Sequence, residues 1–143
     1  MSKYKGKRVL VVGFGLSGVA VAKYMAKQGA KVTVTDMKQR SELTESVNAC
    51  EELKIEYELG KHNGKTFEMA ELIVVSPGVP LNIKPLDEAR AKSIPITCEI
   101  ELAAQAIKEP LIAITGTNGK TTVTTLIGEM FKADGKTAYV GGN

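Results

Sequence analysis

The stretch VLVVGFGLSGVAVAKYMAKQG, residues 9–29, decides the fold. A short apolar run meets a G-x-G-x-x-G turn at Gly13, Gly15 and Gly18, and an alanine- and valine-rich segment follows as far as Gly29. A strand with no polar face is the kind buried on both sides of a parallel sheet. Glycines at the turn let helix and strand pack closely, and they leave the helix N-terminus open to an anion. The spacing predicts a strand over Arg8–Val12 and a helix over 17–28, stopped by Gly29.

The same alternation repeats outward from this unit. KVTVTD is a second strand ending in Asp36, 18 residues after Gly18. A helix is expected over 42–54, then the strand IEYEL, then a loop over 60–64. ELIVVSPG reads as a strand running into a turn, 84–92 as a helix, and IPIT as a short strand. A last helix is expected over 99–107, with Thr97 as its cap and Glu99 and Glu101 in its first turn, where the helix dipole favours acids. Five strands with helical crossovers make a Rossmann-like, doubly wound parallel α/β sheet.

A second glycine turn lies in LIAITGTNGKTTVTTLIGEMF, residues 111–131. LIAIT reads as a buried strand. Val123, Leu126, Ile127, Met130 and Phe131 fall on one face of a helix that Gly135 ends, and TAYVGGN reads as a further strand. Between strand and helix, Gly116, Thr117, Asn118, Gly119, Lys120, Thr121 and Thr122 carry the chemistry of a phosphate-gripping loop. Glycines let amides converge on phosphate oxygens. Lys120 supplies a mobile positive charge, and the hydroxyl of Thr121 suits Mg²⁺. The usual loop has a glycine five positions before Gly119, where Ile114 stands, so this loop is shorter. Two strands and one helix are too few to bury a sheet, so this unit is expected to be a truncated second domain, the opening of a larger one.

Other features are plainer. The composition is 43% apolar and 24% charged, as in ordinary folded domains. A net charge of +3 without a long basic run gives no reason to expect nucleic acid. No stretch reads as a signal peptide or a membrane span. Cys50 and Cys98 match no metal spacing and are expected to be reduced. His62, the only histidine, is expected to be solvated in its polar loop. Taken alone, the first fingerprint fits NAD, with Asp36 on a ribose hydroxyl, as well as any nucleotide diphosphate. Asp36 as a solvated strand end, and SPGVP as a simple proline turn, also remain open.

GTNGKTT on a strand-to-helix turn, after a complete α/β unit, resembles the Mur ligases. These are ATP-dependent amide-forming enzymes that build the peptide stem of peptidoglycan. VVGFGLSG, SPGVP and EIEL narrow the likeness to the D-glutamate-adding branch. The L-alanine-adding branch usually carries a GxGGxGM turn and a histidine where Asn118 stands, and neither fits. The likeness implies a UDP-sugar-binding domain over 1–108 and the incomplete start of the central ATP-binding domain over 109–143. It implies that ATP activates a substrate carboxylate as an acyl phosphate, which the amine of D-glutamate then attacks.

By motif, residues 116–122 would cradle ATP, with Lys120 catalytic and Thr121 on Mg²⁺. Gly15, Leu16 and Ser17 would receive the diphosphate of UDP-N-acetylmuramoyl-L-alanine. Asp36, Met37 and Lys38 would meet the uridine, Gly78 the uracil, and Asn143 the sugar or its lactoyl-peptide arm. The likeness further implies a cytoplasmic monomer serving cell-wall synthesis, and so cell shape and division. It implies no membrane partner, and no ligase activity in this chain alone. The alternatives are an NAD-binding redox or sensor module, which leaves GTNGKTT unexplained, and a Mur-like amide ligase with a different acyl substrate.

Overall fold

The computed structural model describes residues 2–141. The chain divides between Ala106 and Ile107 into two compact units, each taken here by itself. The first unit runs β1 (Arg8–Val12), α1 (Leu16–Lys27), β2 (Lys31–Asp36), a 3-10 turn (Arg40–Glu42), α2 (Thr44–Asn48) and β3 (Ile55–Leu59). It continues with α3 (Gly64–Met69), β4 (Leu72–Val75), α4 (Lys84–Ala91), β5 (Ile96–Cys98) and α5 (Glu99–Ala106). All five strands are parallel, in the order β3-β2-β1-β4-β5.

Strand periodicity sorts the core into two layers. Val9 and Val11 of β1 and Val32 and Val34 of β2 face Val21, Ala22 and Met25 of α1. Leu10 and Val12 point the other way, with Ile73 and Val75 of β4, onto Phe67 of α3 and Leu86 and Ala89 of α4. β1 is therefore covered on both faces, which is why its sequence has no polar alternation. Each such side chain, fully buried, is worth about 1.5–3 kcal/mol relative to exposure.

Three expectations change. The helix foreseen over 42–54 shrinks to α2, because its backbone bonds tighten to i−3 turns at Cys50, Glu51 and Leu53. Thr97 does not act as a side-chain cap through its hydroxyl, which donates instead to the Glu101 carboxylate at 2.6 Å. The short helix α3 was not expected; Asn63 caps it by accepting from the Lys65 amide at 3.2 Å.

The second unit contains α6 (Lys120–Ala133). The expected strands LIAIT and TAYVGGN do not form among the described residues, and the last two residues of the latter lie outside them. A strand exists only through a partner's ladder of hydrogen bonds, and no such partner pairs with either segment among the described residues. Leu111, Ile112, Leu126, Met130 and Val140 are all more than half exposed. Val140 does cross α6 closely: a Cβ on Gly128 would stand 2.5 Å from its Cγ2.

Candidate functional site

The first site gathers where the strand order reverses, at the C-terminal ends of β1 and β4, the place where open α/β sheets bind ligands. Two of the three fingerprint glycines are required by the chain itself. Gly13 sits at φ +92°, and a Cβ there would lie 2.7 Å from Val79 Cγ2. A Cβ on Gly18 would collide with the Gly13 carbonyl. The loops after β1 and β4 are joined by the Ser76 hydroxyl, which donates to the Gly13 carbonyl at 3.1 Å. Phe14, between the first two glycines, is fully buried, with its ring 5.6 Å from that of Tyr57.

Gly15 and Gly78 behave differently. Both are exposed, neither has a positive φ, and a Cβ on either would meet nothing within 4 Å. Nothing in the protein's own packing asks for glycine at these two positions. Gly15 is the N-cap of α1 and provides no side-chain cap, so the first-turn amides, including those of Leu16 and Ser17, have no side-chain acceptor from it. No acid lies in the first turn of α1, and Leu16 is 94% exposed. The result is a positive helix end with open space beside it, suited to a diphosphate.

Asp36 ends β2 beside this turn. Its Oδ2 accepts from the Phe14 amide at 2.7 Å and its Oδ1 from the Lys38 amide at 2.9 Å. The carboxylate thus braces the glycine loop, while each oxygen keeps a second lone pair. Met37 and Lys38 follow and are exposed. Gly15, Leu16, Ser17, Asp36, Met37, Lys38 and Gly78 therefore share one end of the sheet. Asn143 lies outside the described residues.

His62 departs from expectation. It is half-buried, its Nδ1 stands 2.9 Å from the Thr35 hydroxyl, and its ring meets Phe67 edge-on at 5.7 Å. Burial pushes its pKa below the ordinary value of 6.5, against the opposing pull of Asp36 and Glu58. Sequence reading missed Phe14, Gly60, His62 and Ser76 as parts of the site's frame. Only the short distance between IEYEL and the single histidine hinted that this loop returns to the sheet.

The second site belongs to the other unit. Gly119 is the N-cap of α6 at φ +76°, and Gly116 sits at φ +153°. Lys120 folds back so that its Nζ donates to the Gly116 carbonyl across the loop. Ile114, Lys120, Thr121, Thr124, Thr125, Val140 and Gly141 line a cavity of about 180 Å³. Thr124 and Thr125 donate to the Lys120 and Thr121 carbonyls and turn their hydroxyls back to the helix, which leaves Lys120 and Thr121 as the cavity's reactive side chains.

Residues 7–98 match the family model of the Mur ligase MurD-like N-terminal domain. That span holds the whole sheet and the site at its end. The chain belongs to the MurD-like Mur ligase family. A UDP-N-acetylmuramoylalanine–D-glutamate ligase of Geotalea daltonii is 58% identical over 139 residues, 97% of this chain and 31% of that protein. The chain therefore spans about a third of the length of such curated Mur ligase relatives. Among solved structures, a pseudomurein peptide ligase type C from Methanothermus fervidus superposes with TM-score 0.60 at 26% identity, covering 91% of this chain and 27% of that one. A UDP-N-acetylmuramate–alanine ligase from Thermotoga maritima gives TM-score 0.59 at 25% identity, covering 95% and 32%. The phosphate-type loop at 116–122 lies beyond the MurD-like domain match but within the span shared with these ligases.

Proposed function

We propose that this chain is the muramoyl-nucleotide-binding part, with the first ATP-gripping element, of a ligase that adds D-glutamate to UDP-N-acetylmuramoyl-L-alanine in peptidoglycan precursor synthesis. The observation that carries the first half is the pair Gly15 and Gly78. Each is a glycine without an internal reason; Gly15 caps the open N-terminus of α1, and Gly78 lies in the loop whose Ser76 is bonded to Gly13. A ligand backbone or ring approaching closely supplies the missing reason. Gly15, Leu16 and Ser17 would receive the diphosphate. Asp36, Met37 and Lys38 would hold the uridine through the free lone pairs of Asp36 and the exposed backbone after it, and Gly78 would lie against the uracil. Asn143 is assigned to the sugar or its lactoyl-peptide arm on sequence alone.

The loop of Gly116, Thr117, Asn118, Gly119, Lys120, Thr121 and Thr122 fits a nucleoside triphosphate with Mg²⁺. Gly116 and Gly119 have positive φ, a backbone that lets loop amides turn toward phosphate oxygens, and the Thr121 hydroxyl is a hard oxygen suited to Mg²⁺. The ion, when bound, neutralises phosphate charge during transfer to the substrate carboxylate. Lys120 already lies over the loop and would swing from the Gly116 carbonyl to a phosphate oxygen, which makes it the catalytic residue of this segment. The functional division at 1–108 and 109–143, a cytoplasmic location, a monomeric state and roles in cell shape and division belong to the same proposal.

Calorimetric titration of this chain with UDP-N-acetylmuramoyl-L-alanine, with NAD in a parallel cell, tests the reading. Binding of the UDP-sugar alone is expected. Binding of NAD alone would replace the proposal with a redox or sensor module. Preference for a different acyl nucleotide would move it to another Mur-like amide ligase.

A further inference from the structure

The turn after β3 grips the end of β2 at three successive points. The Gly60 amide donates to both the Asp36 and the Lys38 carbonyls, each at 2.9 Å. Gly60 sits at φ +89°, and a Cβ there would lie 2.6 Å from Gln39 Nε2, so the Gln39 amide rests on its Cα. Gln39 is itself fixed by the reciprocal capping box it makes with Glu42, whose carboxylate accepts from the Gln39 amide at 2.9 Å. Two residues on, His62 is held between the Thr35 hydroxyl and the Phe67 ring. Thr35 is wholly buried, and its hydroxyl also lies 3.4 Å from the Lys61 carbonyl.

Hydrogen bonds between the end of β2 and this turn thus engage Thr35, Asp36 and Lys38 from one side. From the other, the Asp36 carboxylate is tied to the Phe14 and Lys38 amides. A carboxylate and a backbone that must meet a nucleoside in one geometry lose least on binding when they are fixed beforehand. We infer that the Gly60–His62 turn is a positioning element for the nucleoside half of the ligand: it sets where Asp36 and Lys38 stand, and reaches the diphosphate half, at the start of α1, only indirectly, through the single Asp36–Phe14 bond. This rests on the proposed binding of a uridine nucleotide at this end of the sheet.

The test uses this chain with UDP, and separately with inorganic pyrophosphate as a probe of the diphosphate position. His62→Ala removes the hydrogen-bonding partner of the Thr35 hydroxyl, whereas His62→Asn keeps a polar group near the Nδ1 position. The expected result is a ~10-fold weaker affinity for UDP in His62→Ala, with pyrophosphate affinity within about twofold of the parent and UDP affinity largely restored in His62→Asn. Unchanged UDP affinity, or parallel loss of both ligands, would overturn the inference. If the parent chain binds no UDP, the proposed function fails by itself, and the positioning is read directly from hydrogen exchange. The Lys38 amide should then exchange ~10-fold faster in His62→Ala and recover in His62→Asn. Equal exchange in all three would sink the positioning role whatever the ligand.

Discussion

Two glycine loops in this molecule have nearly the same local grammar, and the chain around them treats them in opposite ways. The loop of Gly13, Gly15 and Gly18 stands on a five-stranded sheet with apolar layers on both faces. Gly116–Thr122 stands on a helix whose apolar residues are largely exposed and whose expected strands are unpaired among the described residues. A loop's chemistry is local and needs only the right residues at the right spacing. Its rigidity is borrowed from the packing beneath it.

Hydrogen exchange should expose the largest difference between the two regions. Amides of β1 and β4 are expected to open only with global unfolding of their unit, those of α6 by local fraying, a gap of roughly 10³-fold or more. Protection in α6 equal to that of β1 would break the comparison. Substituting the loop glycines sharpens it next. Gly18→Ala places a methyl against the Gly13 carbonyl and should cost about 3 kcal/mol in urea unfolding of the first unit, since backbone must move. Gly15→Ala meets open space and should cost no more than about 1 kcal/mol, the loss of an N-cap glycine, while weakening UDP-sugar binding ~10-fold. If both alanines destabilise alike, the distinction between structural and ligand-facing glycines fails. Lys120→Ala should leave the melting of the first unit unchanged, because among the described residues the Lys120 ammonium bonds within its own loop, and, on the proposed function, should lower ATP-dependent turnover by ~10²-fold or more in a full-length ligase carrying this segment.

The sequence made the sheet legible because its information is periodic and local. Apolar runs at Arg8–Val12 and Leu72–Val75 can only be doubly buried strands, and Gly13, Gly18 and Gly29 punctuate them. The glycine turn that opens α6 at Gly119 was legible for the same reason. Contacts between distant segments were not. Nothing local says that Gly60 will bind back to Asp36 and Lys38, that Phe14 will sit beneath Tyr57, or that His62 will reach a buried threonine. LIAIT was read as a strand from composition, but a strand is a relation between two segments, and a second segment must be present to realise it.

The smallest effect concerns that same histidine, and its sign can be worked out. Burial against Phe67 lowers the pKa of His62 below 6.5, and the facing carboxylates Asp36 and Glu58 offset only part of this. The unfolded chain therefore takes up its proton first as pH falls. Stability of the first unit should be full above about pH 6.5 and decline below it, toward the lowered native value of His62. With one histidine in the chain, no second imidazole blurs this window. Glu71, held low chiefly by the Arg8 amide, adds its own loss only at more acidic pH, below its ordinary value of 4.5. Urea midpoints at pH 7.5 and 5.5 should differ for the parent chain and coincide for His62→Asn. A parent midpoint that does not fall, or an asparagine variant that falls equally, would mean that the imidazole is solvated after all and that Gly60 alone holds the end of β2.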